Sequence, residues 1–323
     1  MEPARHSDVT DATAAMAVQL LQQTQAATYI ASFALTVSTW DWALTLGEEF
    51  RILNRCGRGP AVLAYFVART SAVITCVLSL IFLIKVPPDN NMCSALFTGI
   101  GLMAMTGSAA KTYLFLIRIR AIYGNTKIVT FLSGVAWLAV VCARMTVAFR
   151  IQVSPMVHTG RCAVTNMGSI PIFSIWLNLA YDTCIFLLIS VRLTSYTKFR
   201  RTPGIPSFVR GYGLPHTMRH LLQDGQFYYF ITMFFTLLAA VIAVSAVSPI
   251  YQAIFSVPAY AIEVIMTCKI FRAMILRSLD RAQDVDINLS AVPAESSTTA
   301  MSIFELDTVL EHRIRTMNIE YER

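Results

Sequence analysis

Seven long apolar stretches dominate the sequence and restrict what the chain can fold into. Polar, glycine-rich or proline-rich breaks separate these stretches, which lie at residues 25–46, 61–85, 94–117, 127–149, 171–193, 226–248 and 251–275. A helix needs about 20 apolar residues to cross the hydrocarbon core of a bilayer. The pattern therefore predicts an all-α integral membrane bundle of seven transmembrane helices.

Composition supports a chain that folds in lipid. Of its 323 residues, 55% are hydrophobic and only 14% are charged, whereas a soluble domain has roughly 25% charged residues. The net charge of +7 does not indicate nucleic-acid binding, because the positive residues lie in short clusters between the apolar stretches. We expect the lipid bilayer to be the main partner and no nucleic acid to bind.

The distribution of Lys and Arg predicts the orientation of the bundle. One set of segments between the apolar stretches holds sixteen of these residues, and the opposite set holds four. Cytosolic segments carry the excess of positive charge in membrane proteins. We therefore expect an extracellular N-terminal segment at 1–24, a membrane domain at 25–278 and a disordered, acid-rich cytosolic tail at 279–323, in a multi-pass protein of the plasma membrane.

This orientation places two of the seven cysteines, Cys93 and Cys162, on the external side. An oxidising compartment allows such cysteines to pair. We predict a disulfide that holds the loop before the fifth helix over the mouth of the bundle; two unrelated thiols are the alternative.

Charged side chains inside the predicted helices are the next signal, because each costs several kcal/mol unless it is paired or solvated. There are three acids and three bases, namely Asp41, Arg69, Lys111, Arg144, Asp182 and Glu263. Counting residues from the helix ends places Asp41, Arg69 and Lys111 in the cytosolic third. There we predict an intramembrane charge network, and contact between helices is its favoured role.

Polar residues near the middle of the fifth and seventh helices form stripes. Asn178 and Asp182 are four residues apart, and Ser256, Tyr260 and Glu263 follow one face of the last helix. These five residues are the candidate binding site for a small ligand. The alternative is that they only join helices to one another.

The sequence contains no nucleophile elbow or phosphate-binding loop. We therefore expect no enzyme, catalytic residue, cofactor or metal. The basic loop at 194–225 is a candidate docking site for a cytosolic signalling partner, or else it contacts anionic lipid headgroups.

Four segments resemble a large family of fungal seven-helix proteins, found mainly in mushroom-forming fungi and known only as a domain of unknown function. Residues 40–49 read Trp-Asp-Trp-Ala-Leu-Thr-Leu-Gly-Glu-Glu, similar to the family's opening motif. Residues 118–124, 221–225 and 266–271 resemble the end of its third helix, the start of its sixth and the end of its seventh. The likeness covers about residues 30–280. It implies seven spans and receptor-like sensing of a small ligand; a small-molecule or ion transporter is the alternative.

Overall fold

Long helices joined by short connections make up most of the computed structural model. It describes residues 3–57, 59–84, 90–123, 127–150, 152–156, 161–166, 169–198, 216–245 and 247–289. Within these ranges the elements are α1 (Pro3–Cys56), α2 (Pro60–Leu83), α3 (Asn90–Ile122), α4 (Lys127–Arg150), β1 (Gln152–Met156), β2 (Arg161–Asn166), α5 (Ser169–Lys198), α6 (His216–Val244), α7 (Pro249–Ile254) and α8 (Ser256–Leu289).

Six stretches in the described residues are long and apolar enough to cross a membrane: Pro60–Leu83, Met92–Arg120, Lys127–Arg150, Ser169–Val191, Phe227–Val244 and Ile250–Leu276. They coincide with the second to seventh predicted spans. The chain is therefore a multi-pass helical membrane protein. The first helix is not among the six, because Gln25, Asp41 and several Ser, Thr and Trp residues lower the hydropathy of its apolar stretch.

The centre of the bundle is formed by α3 and α8. Helix α3 contacts α2, α4, α5 and α8, while α8 also contacts α1, α2 and α6. Small side chains at the α2–α3–α8 contact, such as Ala68, Ala72 and Ala110, are buried there. Small residues let helix backbones approach closely in membranes, so polar side chains from several helices can meet across the interior.

A short hairpin lies between α4 and α5, where the sequence analysis predicted only a loop. Strands β1 and β2 pair antiparallel, with Pro155 opposite Cys162. The all-α prediction missed this element because its two strands are only 5 and 6 residues long. Cys162 forms a disulfide with Cys93 near the start of α3, which confirms the predicted pair. We call this side of the bundle the hairpin end.

The last predicted span is broken, whereas the sequence analysis treated 251–275 as one continuous helix. Helix α7 ends at Ile254, Phe255 lies between the helices, and α8 begins at Ser256. Pro258 explains the break, since it has no N–H to donate to the carbonyl of Ile254 and its ring crowds that carbonyl. The final crossing consists of a short helix followed by a long one.

Two predicted boundaries differ from the structure. Helix α1 begins at Pro3, so the segment predicted as 1–24 is helical over the part that is described. Helix α8 runs to Leu289, well into the tail predicted at 279–323. Of the predicted docking loop at 194–225, residues 199–215 lie outside the described residues, as do residues 290–323 of the tail.

Candidate functional site

Lys111 in α3 is a buried lysine whose ammonium group is surrounded by acceptors from other helices. Its exposed fraction is 0%. The Nζ atom lies 3.2 Å from Oδ2 of Asp182 in α5 and 3.0 Å from Oε2 of Glu263 in α8. It also donates to Oδ1 of Asn178 at 3.4 Å. One positive charge is thus shared by two carboxylates within the membrane-spanning stretches.

Thr236 completes this group, which we call the Lys111 cluster: Lys111, Asn178, Asp182, Thr236 and Glu263. Asn178 Nδ2 donates to Oε1 of Glu263 at 2.8 Å and to Oδ2 of Asp182 at 3.4 Å. Thr236 donates to the same Glu263 oxygen at 2.9 Å. Oδ1 of Asp182, in contrast, is buried and has no hydrogen-bond partner among the described residues.

A second group, the Arg69 cluster, joins α1 to α2 and consists of Asp41, Thr45, Glu49, Tyr65 and Arg69. Arg69 Nη2 lies 2.7 Å from Oδ2 of Asp41 and donates to Thr45 at 2.8 Å. Its Nη1 lies 2.7 Å from both Oε1 of Glu49 and the Tyr65 hydroxyl. Tyr65 in turn donates to Oε1 of Glu49 at 2.7 Å. The guanidinium is therefore well supplied with acceptors.

Two ion pairs extend from α1 to α8. Lys269 Nζ lies 3.2 Å from Oδ1 of Asp41, and Arg272 Nε lies 2.6 Å from Oε2 of Glu48. The side chains of Lys269 and Glu48 are 35% and 50% exposed, so solvent or headgroups weaken both pairs. Lys269 follows Glu263 by six residues, roughly 9 Å along α8, so the two clusters form separate layers.

The structure groups the predicted charge network differently from the sequence analysis. Asp41 and Arg69 pair with one another, as expected for a contact between helices. Lys111 is not part of that network; its charge is taken up by Asp182 and Glu263. Counting residues along α3 had placed it too far from the middle of the bundle.

Three of the five predicted ligand residues lie together in the Lys111 cluster, namely Asn178, Asp182 and Glu263. Tyr260 lies about one turn away on α8, with its hydroxyl 3.3 Å from that of Ser71 in α2. Ser256 does not join them, because its hydroxyl donates to the carbonyl oxygen of Ala253 at 2.6 Å. The site in the structure therefore contains three of the five predicted residues and, in addition, Lys111.

Sequence reasoning missed several partners for different reasons. Glu49 follows Asp41 by eight residues and therefore shares its helix face, so its role could have been found from spacing. Thr236 gave no such signal, since it also donates to the carbonyl of Thr232, as threonines in any helix do. Its bond to Glu263 depends on how α6 packs against α8.

An apolar groove of about 470 Å³ lies apart from both clusters, between α1, α6 and α8. Phe33, Phe235, Pro258 and Ile262 are among the side chains that line it. Its lining contains no charged residue, and the lining residues from α6 and α8 lie in stretches that are apolar enough to cross a membrane.

The two clusters differ in what they can do. The Arg69 cluster uses its charged atoms to join helices, whereas the Lys111 cluster retains an unpaired carboxylate oxygen in the interior. The chain matches no protein-family model and no curated protein. Its function must therefore be inferred from these side chains.

Proposed function

We propose that the chain is a receptor-like membrane protein, not an enzyme, and that it senses a small ligand through the Lys111 cluster. One observation carries this proposal. Four helices direct polar or charged side chains to one point inside the membrane-spanning region, yet Oδ1 of Asp182 has no hydrogen-bond donor among the described residues. Ionisable residues within membrane spans are costly and usually functional.

The contrast with the Arg69 cluster supports a role beyond joining helices. If Asp182 served only to hold helices together, both of its oxygens would be expected to be satisfied, as they are for Asp41. A buried acceptor without a donor costs about 1–3 kcal/mol. A site that receives a donor from a ligand accounts for that cost.

A cellular experiment with Asp182→Asn tests the proposal, since this change keeps the size of the side chain and removes its charge. The gene is deleted in the organism that carries it, and the resulting change in transcripts defines the response. Wild type, Asp182→Asn and the exposed control Arg150→Gln are then reintroduced. We expect Asp182→Asn to reach wild-type surface levels without restoring the transcripts, and Arg150→Gln to restore them. Full restoration by Asp182→Asn contradicts the proposal.

Helix α1 is the seventh span in this proposal. Its 54 residues make a helix about 81 Å long, far longer than a bilayer. Ala27, Ala31 and Ala34 on one face are buried, while Tyr29 and Phe33 are exposed. An exposed apolar face on a helix that packs against α2 and α8 suits contact with lipid.

The hairpin end is extracellular in this topology, in agreement with the disulfide and with the excess of Lys and Arg at the other end. The plasma membrane, membership of the fungal seven-helix family and a signalling partner at 194–225 belong to the same proposal. An epitope tag at the N-terminus tests the orientation: we expect antibody to label intact cells. Labelling only after permeabilisation contradicts it.

A transporter is the second candidate, because the last span is broken at Phe255 and broken helices line the sites of many transporters. However, Glu263 follows Phe255 by eight residues, roughly 12 Å along the helix, so the break does not lie at the Lys111 cluster. Proton movement into proteoliposomes can be followed with an enclosed pH-sensitive dye. Proton movement by the wild type that is lost in Asp182→Asn supports transport over sensing.

A further inference from the structure

Arg144 in α4 is a cation inside a membrane-spanning stretch, and no described acid lies within ion-pair distance of it. It is flanked one turn away on either side by Val140 and Ala148, both of which are buried, so it shares the face that α4 turns toward the bundle. Its Nε atom is buried and has no hydrogen-bond partner, and no ion pair to Arg144 occurs among the described residues.

Two contacts fix the level of Arg144 relative to α3. Trp137 Nε1 donates to the carbonyl oxygen of Ala109 at 3.1 Å. Nearer the hairpin end, Ala148 lies so close to Gly101 that a Cβ on that glycine would be 2.7 Å from the Ala148 Cβ. Since α3 and α4 run antiparallel, Arg144 lies between these contacts, on the hairpin side of Lys111.

The direction of α4 favours a side chain of Arg144 that leans toward the level of the Lys111 cluster. Side chains of a helix lean toward its N-terminus, and α4 begins at the end opposite the hairpin. Consistent with this direction, the charge of Arg144 acts electrostatically on Lys111, Glu263 and Tyr260. The guanidinium therefore lies within reach of the interior layer that adjoins the cluster.

Two buried hydroxyl groups also belong to this layer. Ser108 precedes Lys111 by three residues in α3, and Ser174 precedes Asn178 by four in α5. Both helices begin at the hairpin end, so both serines lie about one turn on the hairpin side of the cluster. They are 0% and 2% exposed, and in the part of the chain that the structure describes neither Oγ has a hydrogen-bond partner.

These groups are hydrogen-bond donors, and a negatively charged acceptor would satisfy them. A guanidinium only donates, and a serine hydroxyl can donate one hydrogen bond. Among the described residues no carboxylate lies within ion-pair distance of Arg144, and Asp182 and Glu263 pair with Lys111 instead. A carboxylate accepts several hydrogen bonds and forms charge-assisted pairs with arginine.

We propose that Arg144, Ser108 and Ser174 form a subsite for the carboxylate group of a small ligand, between α3, α4 and α5 on the hairpin side of the Lys111 cluster. This inference rests on the proposed function and names the ligand class. It also assigns Arg144 a role, which the sequence analysis left open. The ligand's carboxylate binds here and its donor groups face Oδ1 of Asp182.

The test uses the purified full chain in lipid nanodiscs of zwitterionic lipid, with sodium acetate as the probe and sodium chloride at equal ionic strength as the reference. We expect acetate, and not chloride, to raise the unfolding temperature along a saturable curve. In Arg144→Gln we expect half-saturation to need about thirtyfold more acetate, since loss of one partner of a buried charge pair weakens binding at least this much. Ser108→Ala should require several-fold more, and the control Arg150→Gln the wild-type amount.

Equal effects of acetate and chloride, or an unchanged acetate response in Arg144→Gln, overturn the proposal and leave Arg144 as a counter-charge only. If Arg144→Gln does not fold, Arg144→Lys replaces it: the charge stays, the fork of donors is lost, and acetate binding must still weaken. Saturation-transfer NMR of the acetate methyl group on wild type gives a second readout. Acetate binding needs no cellular response, so failure of this proposal and failure of the proposed function are distinguishable. If the subsite is wrong, acetate has no specific effect on the unfolding temperature. If the receptor role is wrong, Asp182→Asn restores the transcripts.

Discussion

Replacing Lys111 by methionine is the sharpest test of the buried cluster. Methionine keeps much of the length and volume of the side chain but removes the charge that lies 3.2 Å from Asp182 and 3.0 Å from Glu263. Breaking a buried ion pair by removing one partner costs about 3–5 kcal/mol, because a charge remains buried without compensation. Here two carboxylates are left, so we expect a loss at the upper end of that range.

The free energy of unfolding is measured by SDS titration of the purified protein in mixed micelles. Lys127→Met is the matched control, since this lysine at the start of α4 is exposed, and we expect it to change stability by less than about 0.5 kcal/mol. Adding Asp182→Asn and Glu263→Gln to Lys111→Met removes all three charges. Such neutral replacements of buried ion pairs are often tolerated, so we expect the triple variant to recover most of the loss.

Two outcomes refute this reasoning. The first is a Lys111→Met variant as stable as Lys127→Met, which means that the ammonium is not paired in the membrane. The second is a triple variant whose loss equals the sum of the three single losses. Residues in one network must show coupling of about 0.5–3 kcal/mol, and strict additivity means that the three groups do not interact.

Three further changes test other parts of the bundle. Cys93→Ser and Cys162→Ser should each lower stability by up to about 4 kcal/mol, the loop-closure value for a long loop. The double variant should be no less stable than either single variant in the same SDS titration. A larger loss in the double variant argues against the disulfide. Gly107→Ala should cost about 1–3 kcal/mol, because the added methyl group overlaps two hydroxyls of neighbouring helices, whereas Gly134→Ala, with nothing within 4 Å, should not destabilise. Lys269→Gln should cost less than about 1 kcal/mol, since its pair is 35% exposed on the lysine side; a loss like that of a buried pair contradicts this.

The spans were predictable because the thickness of the bilayer sets how many consecutive apolar residues a crossing helix needs. A run of about 20 apolar residues has few other uses in a protein, and the six membrane-spanning stretches follow those runs closely. The disulfide followed from orientation and from how few cysteines remained on one side. Neither inference required knowledge of how the helices pack.

The partner of Lys111 could not be predicted because depth was counted at the Cα atoms. Side chains lean toward the N-terminus of their helix, and α3 begins at the hairpin end. The long lysine side chain therefore carries its charge toward Asp182 and Glu263, away from the level of its own Cα. Helix α2 begins at the opposite end, so the Arg69 side chain leans away from the hairpin end. Its charge therefore stays at the level of Asp41, and depth counted at the Cα atoms was enough to predict this pair.

The break at Phe255, which Pro258 causes, was not predicted for a different reason. Proline is tolerated in membrane helices where neighbouring helices satisfy the freed groups, so its presence alone does not decide between a kink and a continuous span. The decision depends on tertiary contacts that no local pattern encodes.

The break also lies in the part of the bundle that the disulfide holds. Ile254, the last residue before it, packs in one apolar group with Cys93 and Cys162 of the disulfide and with Ala27 and Ala31 of α1. Val257 and Ala261, which follow the break in α8, belong to the same group. Both sides of the break are therefore fixed to the hairpin end. Glu263 follows Ala261 by only two residues, so the disulfide helps to set the position of one member of the Lys111 cluster.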